Sequence, residues 1–167
     1  MNVLVIGTGR DEMTTKLIDR IVATDASWAP LALRIPAGNI FAAHGAQKLF
    51  GWFGGDGLEG TAKWMDSIGL SPGLPLTLLA GGAEFFGGIA LLIGLLVRPA
   101  AATLAFAMAV AIFSVHIGNG LFMATNGYEF GLALFAISGS LLISGAGRWS
   151  MDALITHRAT TGEPGIA

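Results

Sequence analysis

Long runs of apolar residues, nearly free of charge, dominate this chain. Residues 75–97 carry one charged side chain, Glu84, residues 99–118 carry none, and residues 128–147 carry only Glu129 at their start. A helix needs about 20 such residues to cross the roughly 30 Å of hydrocarbon in a bilayer. Only 12% of the residues are charged, against about 25% in soluble domains, too few to cover a water-facing surface. Each run is therefore interpreted as a transmembrane helix.

A fourth stretch, residues 29–50, has the same length but more polar side chains. They are Arg34, Asn39, His44, Gln47 and Lys48. Arg34 lies about a turn and a half from one end, so its guanidinium is expected to snorkel to the lipid headgroups. The sequence thus predicts an all-α membrane protein, with a bundle of four transmembrane helices over residues 28–154.

The segments around the four spans are assigned from composition and spacing. Residues 1–27 are predicted to form an N-terminal tail, in which residues 14–24 make a short amphipathic helix on the cytoplasmic surface. Residues 51–74 are interpreted as the one long loop, and residues 155–167 as a C-terminal tail. The dipeptide at 98–99, an arginine followed by a proline, predicts a minimal turn between the second and third spans.

Lysine and arginine are distributed unevenly between the two sides of these spans. One side holds only Lys48 and Lys63. The other holds the remaining residues of these types, with Arg34 near it: Arg10, Lys16, Arg20, Arg98, Arg148 and Arg158. Because cytoplasmic loops carry an excess of lysine and arginine, both termini are predicted to lie in the cytoplasm and the long loop outside.

In this topology the ionisable side chains fall together in the outer half of the bundle. At 1.5 Å per residue, His44 lies about 9 Å below the outer end of the first helix, and Glu84 about 13 Å below that of the second. His116 ends the third helix and Glu129 begins the fourth. Because an ionised group in hydrocarbon costs about 3 kcal/mol or more, His44 and Glu84 are expected to pair, and the glycines beside Glu84 leave room for this.

These side chains predict a polar pocket that opens outward. Its candidate lining residues are His44, Gln47, Glu84, His116 and Glu129. Structural roles are open as well, since a Glu84–His44 pair can lock two helices together and interfacial polar residues are ordinary. No H-x-x-E, E-x-x-H or H-E-x-x-H spacing occurs, so no metal site is predicted, and no residue is assigned as catalytic.

Several motifs of the chain resemble those of the DoxX family of small bacterial and archaeal membrane proteins. They are HGAQKLFGWFGG at 44–55, GLEGT at 57–61, AEFFGG at 83–88, HIGNG at 116–120, NGYEF at 126–130 and GAGRWSMD at 145–152. The resemblance implies a four-helix protein of the bacterial inner (plasma) membrane. It also implies a loose link to redox physiology, since a related archaeal protein is a subunit of thiosulfate:quinone oxidoreductase and some bacterial members are tied to oxidative-stress and thiol-homeostasis complexes. It supplies no set of catalytic residues.

The residues support two functional hypotheses. The first is a redox-associated or quinone-linked membrane subunit, at most one part of an oxidoreductase, in which His44 and Glu84 hydrogen-bond a quinone. The chain has no cysteine and no cofactor motif, so electrons would come from a soluble or membrane-bound redox partner. The second is a non-enzymatic scaffold or small-solute permease. The lipid bilayer is the expected surrounding, a homo-oligomer is compatible with either hypothesis, and a net charge of −2 gives no reason to expect nucleic acid.

Overall fold

The part of the chain that the structure describes is helical. A computed structural model describes Thr24 and residues 27–161, and these residues contain no β-strand. The helices are α1 (Ala29–Phe50), α2 (Gly57–Ser67), α3 (Gly73–Ile93), α4 (Val97–Ala111), α5 (Glu129–Ser144) and α6 (Met151–Thr161). After α4 the chain continues through a π-helical turn, Ile112–His116, and a 3-10 turn, Ile117–Asn119. The amphipathic helix predicted over 14–24 lies, except for its last residue, outside the described residues.

The long helices pack in pairs. α1 lies against α3, α4 lies against α5, and α3 joins the two pairs through its contact with α4. Their shared core contains fully buried side chains from every one of these helices: Phe41, Leu91, Leu104 and Leu141. The predicted all-α class is confirmed.

Apolar side chains also cover the outside of the helices. Two helices are long and apolar enough to cross a membrane, Gly73–Ile93 and Val97–Asn119, and Glu129–Ser144 is apolar but shorter. Large side chains on these helices point away from the core: Leu79, Phe86, Phe106, Phe113 and Ile143. Contiguous exposed apolar surface of this kind is rare on soluble monomers. α1 has 22 residues but is less apolar than α3, because it carries the polar residues named above.

Residues 51–74 are not one loop, as the sequence suggested, because α2 forms in their middle. Its buried residues, Thr61, Ala62 and Met65, lie on one helical face, whereas Lys63 and Trp64 are exposed. This face packs on α3 and α1. The helix is short and its composition is mixed, so the 3.6-residue period is weak in the sequence.

The turn between α3 and α4 lies before the arginine–proline pair that predicted it. Gly94 ends α3 in the left-handed conformation with φ 69°, and Leu96 has φ 50°. Arg98 and Pro99 already belong to the first turn of α4. A proline fits there because the first N–H groups of a helix have no intrahelical partner.

Glycines let α1 and α3 approach each other closely. A Cβ atom on Gly45 would lie 2.3 Å from the backbone nitrogen of Phe85, and one on Gly88 would lie 2.4 Å from that of Ala42. A Cβ atom on Gly82, in contrast, would meet nothing within 4 Å. The two backbones therefore set the register of α1 against α3, and with it the position of Glu84.

We expect Gly45→Ala to lower the free energy of unfolding by about 1–3 kcal/mol, because the added methyl group must displace the α3 backbone. Gly82→Ala adds the same methyl group where there is room, and should be neutral or stabilising by up to about 1 kcal/mol. Thermal melting of both purified variants in the same detergent compares them. Equal melting temperatures would mean that α1 and α3 can move apart to accommodate the methyl group without loss of stability.

Candidate functional site

An ion pair between α1 and α3 lies at the centre of the candidate site. Lys48 Nζ is 2.5 Å from Glu84 Oε2. Glu84 is only 5% exposed, whereas the Lys48 side chain keeps 24% of its surface. A buried carboxylate needs a partner because desolvation of an unpaired charge is costly, and the Lys48 ammonium supplies both opposite charge and a hydrogen bond.

Glu84 thus pairs with Lys48, contrary to the expectation that His44 would be its partner. Within the described residues no hydrogen bond joins His44 to Glu84. Lys48 follows His44 by one helical turn, and its charge-assisted hydrogen bond is stronger than one from a neutral imidazole. The His44 ring instead lies beside the pair and 6.1 Å from the ring of Phe130 on α5, measured between centroids.

A cavity of about 550 Å³ extends from this pair between the helices. All four long helices and α2 contribute to its wall, which is mostly apolar and includes Phe41, Met65, Ala111, Val115, Phe130 and Leu134. The polar lining consists of His44, Lys48, Glu84, Ser114, His116 and Asn126. Sites for small molecules have this character, with volumes of about 300–1,000 Å³ and a few polar groups on an apolar wall. We call this space the inner cavity.

The π-helical turn after α4 forms part of the inner cavity wall. Ser114 and His116 both lie on this turn and line the cavity. His116 Nδ1 is 2.9 Å from the carbonyl oxygen of Asn126, which connects the turn to the segment that leads into α5. Single π-helical turns are rare in proteins, but those that occur are often at functional sites. No sequence pattern predicted this one.

Gln47 lines a different space, on the other side of Lys48. This outer pocket has a volume of about 340 Å³ and includes Asp56 and Thr61 in its wall. The Gln47 amide donates a hydrogen bond of 3.4 Å to the carbonyl of Phe53. The chain therefore folds back over the end of α1 through a 3-10 turn at Trp52–Gly54.

Glu129 does not line the inner cavity, although the sequence predicted it there. Its carboxylate accepts a hydrogen bond of 2.6 Å from the backbone N–H of Met123, so it holds the turn before α5. Of the five predicted residues, His44, Glu84 and His116 meet in the inner cavity. Among the residues the structure describes, no three His, Cys, Asp or Glu side chains are grouped so that they could hold a metal ion.

Arg34 forms a second polar centre, at the opposite end of α1. It is 1% exposed, so the expectation that it snorkels to the headgroups is wrong. Its guanidinium donates to five backbone carbonyls, those of Leu91, Leu92, Ala146, Arg148 and Trp149, over 2.5–3.5 Å. The last carbonyls of a helix have no intrahelical partner, and arginine has five N–H donors. Arg34 therefore caps the end of α3 from inside the bundle.

Asp152 completes this centre and was missed by the sequence analysis. Its carboxylate accepts hydrogen bonds from the backbone N–H groups of Leu96 at 2.8 Å and Val97 at 3.0 Å. Burial raises the pKa of the Asp152 carboxyl, and the two hydrogen bonds and the charge of Arg34 oppose that shift. An acidic side chain at a helix N-terminus caps it and complements its dipole. Because Asp152 is 55 residues from Val97, no local pattern reveals this role.

Comparison with known proteins finds two similar proteins of Haemophilus influenzae, each described as uncharacterized. One is 36% identical over 104 residues, which cover 57% of this chain and 78% of the relative. The other is 34% identical over 77 residues, which cover 46% of this chain and 51% of the relative. No solved structure matches significantly. The DoxX family model matches residues 29–117, from the start of α1 to the residue after the π-helical turn, and this range includes Lys48, Glu84 and His116. The chain therefore belongs to the DoxX family of membrane proteins.

Proposed function

We propose that this protein is a redox-associated membrane subunit that binds a quinone headgroup in the inner cavity. The observation that carries the proposal is a mostly apolar cavity of about 550 Å³ whose lining includes two histidines and an ion pair with a buried carboxylate. A quinone ring is flat and apolar, with two carbonyl oxygens that need hydrogen-bond donors. Such a ligand reaches its site through the bilayer, which suits a space enclosed by apolar helices.

The side chains of the inner cavity fit such a headgroup. Lys48 and His44 carry N–H groups that can donate to a carbonyl oxygen, and Glu84 can hold or release a proton. A bound quinone supplies two-electron, two-proton chemistry. The protons are proposed to come from Glu84 and from His44, whose side chain type titrates near neutral pH. The electrons are proposed to come from a partner redox protein, because the chain has no cysteine and no cofactor motif.

We propose further that α1, α3, α4 with its extension, and α5 are four spans of a bacterial inner membrane. The apolar outer surfaces of α3, α4 and α5 support this. α1 is compatible with lipid as well, because its charged residues face inward: Arg34 is buried and Lys48 is paired with Glu84. The uneven distribution of lysine and arginine supports an orientation with both termini in the cytoplasm.

Single cysteines test this orientation, since the chain has none of its own. We expect Glu59→Cys, on exposed α2, to react with a membrane-impermeant maleimide when only the outer face is accessible. Leu154→Cys, at an exposed position of α6, should react only after the membrane is permeabilised. Labelling of Leu154→Cys in sealed cells without labelling of Glu59→Cys would reverse the orientation.

A blocked cavity tests the binding site. Ala111 lines the inner cavity, and we expect Ala111→Phe to weaken binding of a short-chain quinone at least about tenfold, or about 1.4 kcal/mol. Ala102→Phe adds the same ring to the exposed face of the same helix, and should leave binding unchanged. Isothermal titration calorimetry of both proteins in lipid nanodiscs measures the difference.

Two results would contradict the proposal. If the unmodified protein binds no quinone in nanodiscs, a scaffold or permease role becomes the better explanation. If both phenylalanine variants bind as the unmodified protein does, the quinone occupies a different site.

A further inference from the structure

We infer that the outer pocket is the route by which protons enter the inner cavity, with Lys48 as the connecting group. The inference rests on the proposed function and assigns the outer pocket a role in it. Its basis is that Lys48 and Trp64 line both spaces. These two side chains are therefore the wall between them, and Lys48 also pairs with Glu84.

The outer pocket has the properties of a water-accessible entrance. Its volume of about 340 Å³ compares with about 30 Å³ per molecule of liquid water, so it has room for several. Gln47 contributes an amide, Thr61 a hydroxyl and Asp56 a carboxylate to its lining. Asp56 is exposed, which connects the pocket to solvent. Polar groups of this kind hold ordered water well.

The ionisable groups on both sides of Lys48 favour proton transfer from the outer pocket to the inner cavity. Asp56, at the start of α2, faces it from the outer pocket. Glu84 from α3, His44 from α1 and His116 from the π-helical turn after α4 line the inner cavity with it. The parts of α2 and α5 that line the inner cavity contribute no ionisable side chain. Asp56, Lys48 and Glu84 thus form one chain of ionisable groups from the exposed side of the outer pocket to the inner cavity.

Each step moves one proton and leaves the relay as it began. The Lys48 ammonium gives a proton to the Glu84 carboxylate, so an N–H bond breaks and a carboxyl O–H bond forms. Glu84 passes this proton to the ligand oxygen, so the carboxyl O–H bond breaks and a ligand O–H bond forms. The Lys48 amine then regains a proton from hydronium in the outer pocket, which leaves water and restores the ion pair. The two electrons of quinone reduction come from the partner redox protein of the proposed function and do not pass through these groups.

The experiment follows proton arrival at a bound ligand that needs no electrons. The probe is a hydroxynaphthoquinone, whose anion is coloured and whose protonated form is much less so. The full-length protein in nanodiscs is loaded with the anion, and a stopped-flow drop in pH starts the reaction. Equilibrium titration of the same samples gives the affinity, and the decay of colour gives the rate of protonation.

Two variants obstruct the route at different points. The first is Asp56→Cys, modified with a bulky water-soluble thiol reagent that fills the outer pocket. Its matched control is Glu59→Cys with the same modification, because Glu59 carries the same charge nearby in the chain and lines neither space. Lys48→Met removes the connecting group. Modified Asp56→Cys and Lys48→Met should each slow protonation at least about tenfold, since a positioned proton donor contributes about 10²–10⁴-fold. Modified Glu59→Cys should match the unmodified protein.

The outcomes separate this inference from the proposed function. If the unmodified protein does not bind the probe, the proposed function fails and the inference fails with it. If binding is intact and modified Asp56→Cys takes up protons as fast as modified Glu59→Cys, only the outer route is overturned. Should Lys48→Met bind too weakly to be loaded, the modified Asp56→Cys comparison still decides, because it leaves the ion pair in place.

Discussion

Arg34→Met should lower the free energy of unfolding by about 3–5 kcal/mol, the range found when one partner of a buried charged cluster is removed. The substitution removes the Arg34 donor from five backbone carbonyls. That of Leu91 keeps a 3.2 Å hydrogen bond from the N–H of Gly94, and each of the others that is left buried without a donor costs about 1–3 kcal/mol. It also removes the positive charge of Arg34 that acts on the Asp152 carboxylate. Because folded domains are stable by about 5–15 kcal/mol, the level of the variant in membranes should fall as well. Immunoblots of isolated membranes and melting temperatures in detergent measure both effects.

Two further substitutions calibrate this result. Arg34→Lys keeps the charge but has three donors in place of five and lacks the planar fork, so its stability should be intermediate. Lys63→Met removes a cation from the exposed face of α2 and should change stability by no more than about 0.5 kcal/mol. An Arg34→Met protein as stable as Lys63→Met would mean that the carbonyls find other donors.

Removing one partner of the Lys48–Glu84 pair should harm the protein more than removing both. Lys48→Met leaves the buried Glu84 carboxylate without its partner and should lower the free energy of unfolding by about 3 kcal/mol. Glu84→Leu leaves the Lys48 ammonium next to an apolar side chain. The cost of Glu84→Leu is expected to be smaller, because Lys48 keeps 24% of its side-chain surface exposed. The double variant should recover most of the stability, but it should not recover quinone binding. Glu84→Gln should fold, but its affinity for quinone should be at least about tenfold lower than that of the unmodified protein.

A double-mutant cycle measures this coupling directly. The four proteins are compared by chemical unfolding in the same detergent and by quinone titration in nanodiscs. A coupling energy near zero would mean that Lys48 and Glu84 do not depend on each other for stability. If the double variant binds quinone as well as the unmodified protein does, the ion pair is not part of the quinone site.

The long helices could be predicted from the sequence because each coincides with an apolar run. The first predicted span, 29–50, agrees with the observed Ala29–Phe50, and the fourth, 128–147, contains Glu129–Ser144. α2 was missed because only three of its residues are buried, too few to make a periodic pattern stand out. Membrane-like composition thus fixed the coarse architecture, whereas the short surface helix depends on tertiary contacts.

The candidate site could be predicted only in part. Depth along the helices brought His44 and Glu84 to similar levels, and both do line the inner cavity. The predicted partner of Glu84 was wrong because the depth estimate assumes that all helices end at the same level in the membrane. The register of α1 against α3 is instead set by the close contacts of Gly45 and Gly88. The Arg34 centre was beyond sequence reasoning, since its acceptors are backbone carbonyls up to 115 residues away, and every residue type has a carbonyl.

The Arg34 centre also bears on the order in which the protein can be assembled. Arg34 leaves the ribosome early, while three of its acceptors, in residues 146–149, follow more than a hundred residues later. Until then the turn between α3 and α4 also lacks Asp152. A chain that ends before Ala146 would lack three of the five carbonyl acceptors of Arg34. The Arg34 centre can therefore be completed only after residues 146–152 have been made, although Arg34 is among the first residues of α1.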